Sequence, residues 1–463
     1  MTRLSTLTAL AAALLAAGCA NLDRAQDSAA DATPPIVFVH GNGDSAALWQ
    51  TTYWRFESNG WPRSRLHAIN LPYPLARDDD GKPQAGRSSS AEHRDYLKGQ
   101  IEQVLRATGA RQVVLVGNSR GGNAIRNYLQ TGMQSGTVNV SHAILGGTPN
   151  HGVWSRAGDR EGSEFAGAGP FLTGLNAPKN AAGDEVSGPV RWMTIRSDSN
   201  DKFAQPDAGW PGSNGKPTGV SYAGPELKGA KNVVIAGIDH RETSYSAPAF
   251  DATYRFITGH APATLGIVPE AQVTLSGVVT GSGVDVLDPT SGNFASNLPL
   301  PGARLEVYAL QAAGSRIGQA AHTQTIAADG KWGPLRAQPG VPYEFVVSAP
   351  GYASTHIYRS GFPRSSDIIV LRPERIAEAD RAAKQIVLLT RPRGYLDAAR
   401  DRMLLDGRAP AGLPARGGML ATSKLLLQED APRSVQAEFN GEVLAGRSWR
   451  AADGHVTVLE VTQ

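Results

Sequence analysis

Apolar residues along this chain follow two different patterns. In the first half they form short unbroken runs, Ile36-Val37-Phe38-Val39, Val113-Val114-Leu115-Val116 and Ala143-Ile144-Leu145, as expected of strands covered on both faces. A weaker strand is predicted at Leu66 to Leu71, and later ones at Trp192 to Ile195 and Val233 to Ile235. Between strands the period changes. Ala91 to Ala107 carries Tyr96, Ile101, Val104 and Leu105 at helical spacing and is closed by Gly109, and Asn123 to Leu129 reads as a second helix. Alternating strand and helix predicts an α/β domain over 35–262, with a mostly parallel sheet and helices on both sides. Beyond Pro262 the period drops to two, as in Ala303-Arg304-Leu305-Glu306-Val307-Tyr308, the mark of half-buried antiparallel strands. Strands at Val273 to Val279, Tyr343 to Val347 and Ile368 to Leu371, with a turn at Asp329-Gly330, predict a β-sandwich domain over 268–373. Glu374 to Ala383 reads as a short helix or linker. Strands from Ile386, Lys424, Val435 and Val456 then predict a C-terminal β domain over 384–463.

Composition narrows the function classes. The 463 residues hold 45 Lys+Arg against 42 Asp+Glu, a balance that argues against a nucleic-acid surface spread over the whole chain. A single cysteine excludes an intramolecular disulfide and a cysteine-rich metal site. That cysteine, Cys19, follows Arg3 and a mainly apolar run from Leu4 to Ala17 that is too short to span a bilayer comfortably. Ala16-Ala17-Gly18-Cys19 resembles the lipobox of bacterial lipoproteins, in which the cysteine is acylated after cleavage. This resemblance implies a signal peptide over 1–19, a flexible tether over 20–34 and membrane attachment through a lipid on Cys19. The expected location is the cell envelope, as an outer-membrane lipoprotein; the alternative is secretion after ordinary signal cleavage.

The chemistry concentrates at Gly117-Asn118-Ser119-Arg120-Gly121, a G-x-S-x-G between a buried strand and a helix. Such a sharp turn leaves no room for side chains at Gly117 and Gly121 and lifts Ser119 to the top of the sheet, at a helix N-terminus. A serine hydroxyl needs a base, and the base needs a carboxylate to orient it. Of the ten histidines, His240 follows a late strand, where open α/β sheets gather their sites. His40 has a bracing role beside the glycine turn His40-Gly41-Asn42-Gly43. For the acid, Asp198, Asp201 and Asp207 all follow the strand ending at Ile195. Asp201 is the choice, and Asp239, next to His240, is a rival that an extended backbone points elsewhere. Nothing in the sequence calls for a metal or an organic cofactor.

These motifs, with Ser58-Asn59-Gly60-Trp61-Pro62, Leu145-Gly146-Gly147-Thr148-Pro149, Ser199-Asn200-Asp201 and Gly237-Ile238-Asp239-His240, resemble the class 2 lipase branch of the α/β-hydrolases from Pro35 to about Gly259. The resemblance implies a triad of Ser119, Asp201 and His240, and an oxyanion hole formed by the backbone N–H groups of Asn42 and Arg120. The family usually has His and Met flanking the nucleophile; here Asn118 and Arg120 stand there, and the long Arg120 side chain must leave the cleft or form part of it. Residues 151–190 are an insertion read as a cover over the site or a surface excursion. The region after Pro262 resembles a transthyretin-like, carboxypeptidase-regulatory-type sandwich, and Trp332, Tyr352, Tyr358 and Phe362 either shape the cleft or are ordinary sandwich-core aromatics. The implied function is hydrolysis of lipid or other hydrophobic esters. Two alternatives stand beside it, a polyester or polyhydroxyalkanoate depolymerase and an envelope binding protein with a retired hydrolase core.

Overall fold

The computed structural model describes residues 33–134, 138–198, 200–204, 218–284, 293–415 and 417–462. Cys19, the signal segment and most of the tether lie outside the described residues, as does Asp207.

Strands β1 (Ile36–Val39), β2 (Leu66–Ala68), β3 (Val113–Asn118), β4 (Val140–Gly146), β5 (Arg191–Ser197) and β6 (Lys231–Ile235) form one sheet in the order β2-β1-β3-β4-β5-β6. Every neighbouring pair in it is parallel. Each unbroken apolar run divides by period two between two cores. Val37, Val39, Val113 and Leu115 pack with Leu97, Ile101 and Ile125 from helices α2 (Ser90–Thr108) and α3 (Arg120–Gln134). Their alternates Ile36, Phe38, Val114 and Val116 face Tyr53 and Phe56 of α1 (Gln50–Ser58), and Phe250 and Tyr254 of a later helix over Ala247–Thr258. Helix α2 begins at a capping box, with Ser89 and Glu92 each bonding the other's backbone, and ends at Gly109 with φ +66°.

The β-rich half departs from the expected division. Strands Arg304–Ala309, His322–Thr325, Tyr343–Ser348 and Ser354–Arg359 continue, through Ser354–Arg359 paired in parallel with His455–Glu460, into Gln385–Thr390 and Thr422–Leu427. The two units expected over 268–373 and 384–463 therefore share a seven-stranded sheet. Strand pattern alone does not reveal partners, and an edge left open by one unit is a template for the other. The stretch from Glu374 to Ala383 contains a single 3₁₀ turn, Glu378–Asp380. Trp54 of α1 docks the two halves together: it packs in the β-rich core and donates through Nε1 to the Ser365 carbonyl at 2.8 Å. No helix among the described residues is long and apolar enough to cross a membrane.

Candidate active site

Ser119 is the hinge between β3 and α3, with φ +53°. This left-handed conformation is costly for a residue with a side chain, and its neighbours hold it there. A Cβ on Gly121 would lie 2.3 Å from the Val39 carbonyl oxygen, and one on Gly117 would lie 2.8 Å from the Gly122 nitrogen. The Ser119 N–H donates to the Gly146 carbonyl at 2.8 Å, tying the turn to the next strand.

The loops that carry Asp201 and His240 come together at the carboxyl ends of β5 and β6. His240 Nδ1 lies 2.7 Å from Asp201 Oδ2, and the other Asp201 oxygen accepts from the Phe203 N–H at 2.9 Å. A carboxylate only accepts, so Nδ1 carries the proton and Nε2 is left with a free lone pair. Nε2 is buried and makes no hydrogen bond among the described residues. Ser119 does not bond it in this structure, although both side chains line one pocket of about 400 Å³. Asp198 instead accepts from the Gly237 N–H at 2.7 Å. Asp239 is fully buried and turned away, accepting from Arg391 Nη1 and the Tyr395 N–H, both at 2.8 Å. Burial and the neighbouring Glu242 push its carboxyl pKa up, while Arg391 opposes them.

Residues 41–44 form a turn at the pocket rim, closed by the Asp44 N–H on the Gly41 carbonyl at 3.2 Å. Asn42 Oδ1 accepts from the Ala76 N–H at 2.7 Å, whereas the Asn42 N–H has no partner among the described residues. The Arg120 N–H opens α3, so no carbonyl lies one turn back within the helix to accept it. His40 braces the turn: Nδ1 bonds the Gly41 carbonyl at 2.9 Å and Nε2 accepts from the Leu71 N–H at 3.1 Å. Burial pushes this imidazole's pKa down, consistent with a neutral structural role.

The Arg120 side chain leaves the cleft. It is fully buried and forks onto Glu164 at 2.9 and 2.8 Å, with further bonds to the Pro74 carbonyl and to Ser88. One guanidinium thus pins the 151–190 insertion and the 74–88 loop beneath the nucleophile. Replacing Glu164 by alanine strands that charge in the interior, and the expected loss is about 3–5 kcal/mol of stability, measured by urea unfolding. A loss below about 1 kcal/mol would show that water reaches Arg120.

Of the two readings of the β-rich region's aromatic residues, cleft shaping and sandwich core, the structure favours the core. Trp332, Tyr358 and Phe362 are sandwich-core residues, and Tyr352 bonds the Ser282 backbone. Tyr395, Met419, Leu420 and Ala421 of the C-terminal strands and loops line the Ser119 pocket instead. The same region grips the loops that carry Asp201 and His240. Arg391 bonds Asp239, Glu242 at 2.6 Å and the Tyr245 hydroxyl at 2.9 Å, Arg400 bonds Glu242 at 2.6 Å, and Asn200 Oδ1 accepts from the Gly418 N–H at 3.1 Å. These residues were missed because they lie about 150 positions or more from their partners. The available signal was charge: cations at Arg391 and Arg393 after one strand, and acids at Asp239 and Glu242 around the histidine.

A parallel sheet with helices on both faces and a serine elbow at the end of its central strand defines an α/β-hydrolase. Residues 33–154 match the family model for lipase (class 2), and residues 271–376 match that of the lipase C-terminal domain. Each match spans about a quarter of the chain, so the matched segments are similar to class 2 lipases and to a lipase C-terminal domain. Ser119 lies within the first match, Asp201 and His240 beyond it. Among solved structures, Bacillus licheniformis lipase BlEst2 in mature form is 19% identical over 49% of this chain and 92% of its own, with a TM-score of 0.32. Aspergillus fumigatus lipase B is 17% identical over 50% of this chain and 54% of its own, at 0.32. The lin2722 gene product of Listeria innocua is 15% identical over 50% and 97%, at 0.35. No curated protein matches the chain.

Proposed function

We propose that this hydrolase cleaves lipid or other hydrophobic esters through an acyl-enzyme on Ser119, with His240 as base and Asp201 as its orienting carboxylate. The observation that carries the reading is the 2.7 Å contact of Asp201 with His240 Nδ1, which leaves Nε2 unpartnered beside the pocket that Ser119 lines. Such a hydroxyl–imidazole bond often forms or tightens only when substrate is bound. His240 then takes the Ser119 proton as Oγ attacks the ester carbonyl. The Asn42 and Arg120 N–H groups receive the oxyanion, each worth about 3–4 kcal/mol. His240 returns the proton to the departing alcohol, and water, activated by the same imidazole, releases the acid.

The assignment of the acid is tested by Asp201→Asn. An amide in that position favours the wrong tautomer, so ester turnover is expected to fall by about 10⁴-fold with the fold intact by circular dichroism. Unchanged turnover would remove Asp201 from the mechanism. The polyester alternative shares this chemistry and differs only in what fills the pocket.

A further inference from the structure

The active-site pocket contains a cation that the acyl-transfer mechanism does not use. Lys202 follows the acid directly and lines the same pocket as Ser119 and His240. The other charges there are spoken for: Arg241 pairs with Asp44 at 2.9 Å, and Asp201 holds His240. Among the described residues, no carboxylate lies within ion-pair distance of the Lys202 ammonium. Its contacts are the Met419 carbonyl at 3.4 Å and the rings of Tyr395 at 4.1 Å and Phe203 at 4.9 Å. Tyr395 also lies under the Arg241 guanidinium at 4.8 Å. A ring face attracts a cation but offers no hydrogen-bond acceptor, so most of the three ammonium N–H donors remain open. A half-buried cation so placed gains from any anion that enters the pocket.

We propose that Lys202 is an anion-recognition point of the active-site pocket, so that the favoured substrates are esters carrying a compact anion, carboxylate or phosphate, on the same molecule. This rests on the ester-hydrolase reading above and narrows its substrate class. Burial, with Arg241 beside it, pushes the Lys202 pKa down to about 7. Asp201, Asp239 and Asp44 pull it the other way, and His240 and Tyr395 are the remaining titratable neighbours. The ammonium is therefore charged below about pH 7 and neutral above it.

The test compares p-nitrophenyl hemisuccinate with its neutral methyl-capped counterpart, and lysophosphatidic acid with the matching monoacylglycerol. In the wild-type protein, kcat/KM is expected to favour at least one anionic member by about tenfold. That ratio should fall as pH rises through about 7, where the Lys202 ammonium loses its charge. Lys202→Met is expected to bring the ratio near one, whatever it does to the neutral ester, and Lys202→Arg to restore part of it. The carboxylate and phosphate pairs then show which anion is meant. A ratio near one in the wild type, or one that survives Lys202→Met, overturns the proposal. Loss of turnover on every ester, the neutral ones included, would instead strike the ester-hydrolase reading itself.

Discussion

Ser119→Ala is expected to lower ester turnover by about 10⁴-fold or more while leaving the protein folded, and His240→Ala to do nearly the same. The two side chains act on one proton, so removing either removes the attacking alkoxide, and the double variant should be little worse than either single one. The residual rate should come from the oxyanion donors, which are backbone groups and survive both substitutions. Ser119→Ala should, if anything, be slightly stabilised or unchanged, because the strained φ of +53° is imposed by the surrounding packing and not by the hydroxyl. Steady-state kinetics with a soluble ester, alongside circular dichroism, checks both statements. Turnover within tenfold of the parent would move the nucleophile elsewhere.

Arg391→Ala should also be damaging, from outside the proposed triad, in both stability and turnover. The guanidinium is almost fully buried and joins Asp239, Glu242 and the Tyr245 hydroxyl, so its removal leaves two carboxylates behind the His240 loop without their main counter-charge. The expected cost is about 3–5 kcal/mol of stability. The loop should shift, and a base displaced by about 1 Å costs about 10²-fold in kcat. KM should change less, because Arg391 does not line the pocket. Arg391→Lys should recover only part of kcat, since one ammonium cannot reproduce the fork. A variant with unchanged kcat would show that the C-terminal region does not position the base.

The candidate site was legible in the sequence for local reasons. The strand before Ser119 is an unbroken apolar run, the glycines beside it are required by close backbone approach, and His240 follows a strand end; each of these signals spans a few residues. Asp201 was harder to choose, because Asp198 follows the same strand and only the turn through Asn200 decides which carboxylate faces the imidazole. The shared seven-stranded sheet and the grip of Arg391 were not legible, because they depend on pairings between segments far apart in the chain. Arg120 shows the same limit. Its position after Ser119 left two courses open, out of the cleft or along it, and only the fold brings up Glu164, 44 residues on, which draws the side chain into the interior.

The most direct test is covalent labelling with a fluorophosphonate followed by peptide mass spectrometry. One adduct per chain, on Ser119 and abolished by His240→Ala, is the expected result. A folded protein that takes no label, or takes it on another serine, would contradict the assignment of nucleophile and base.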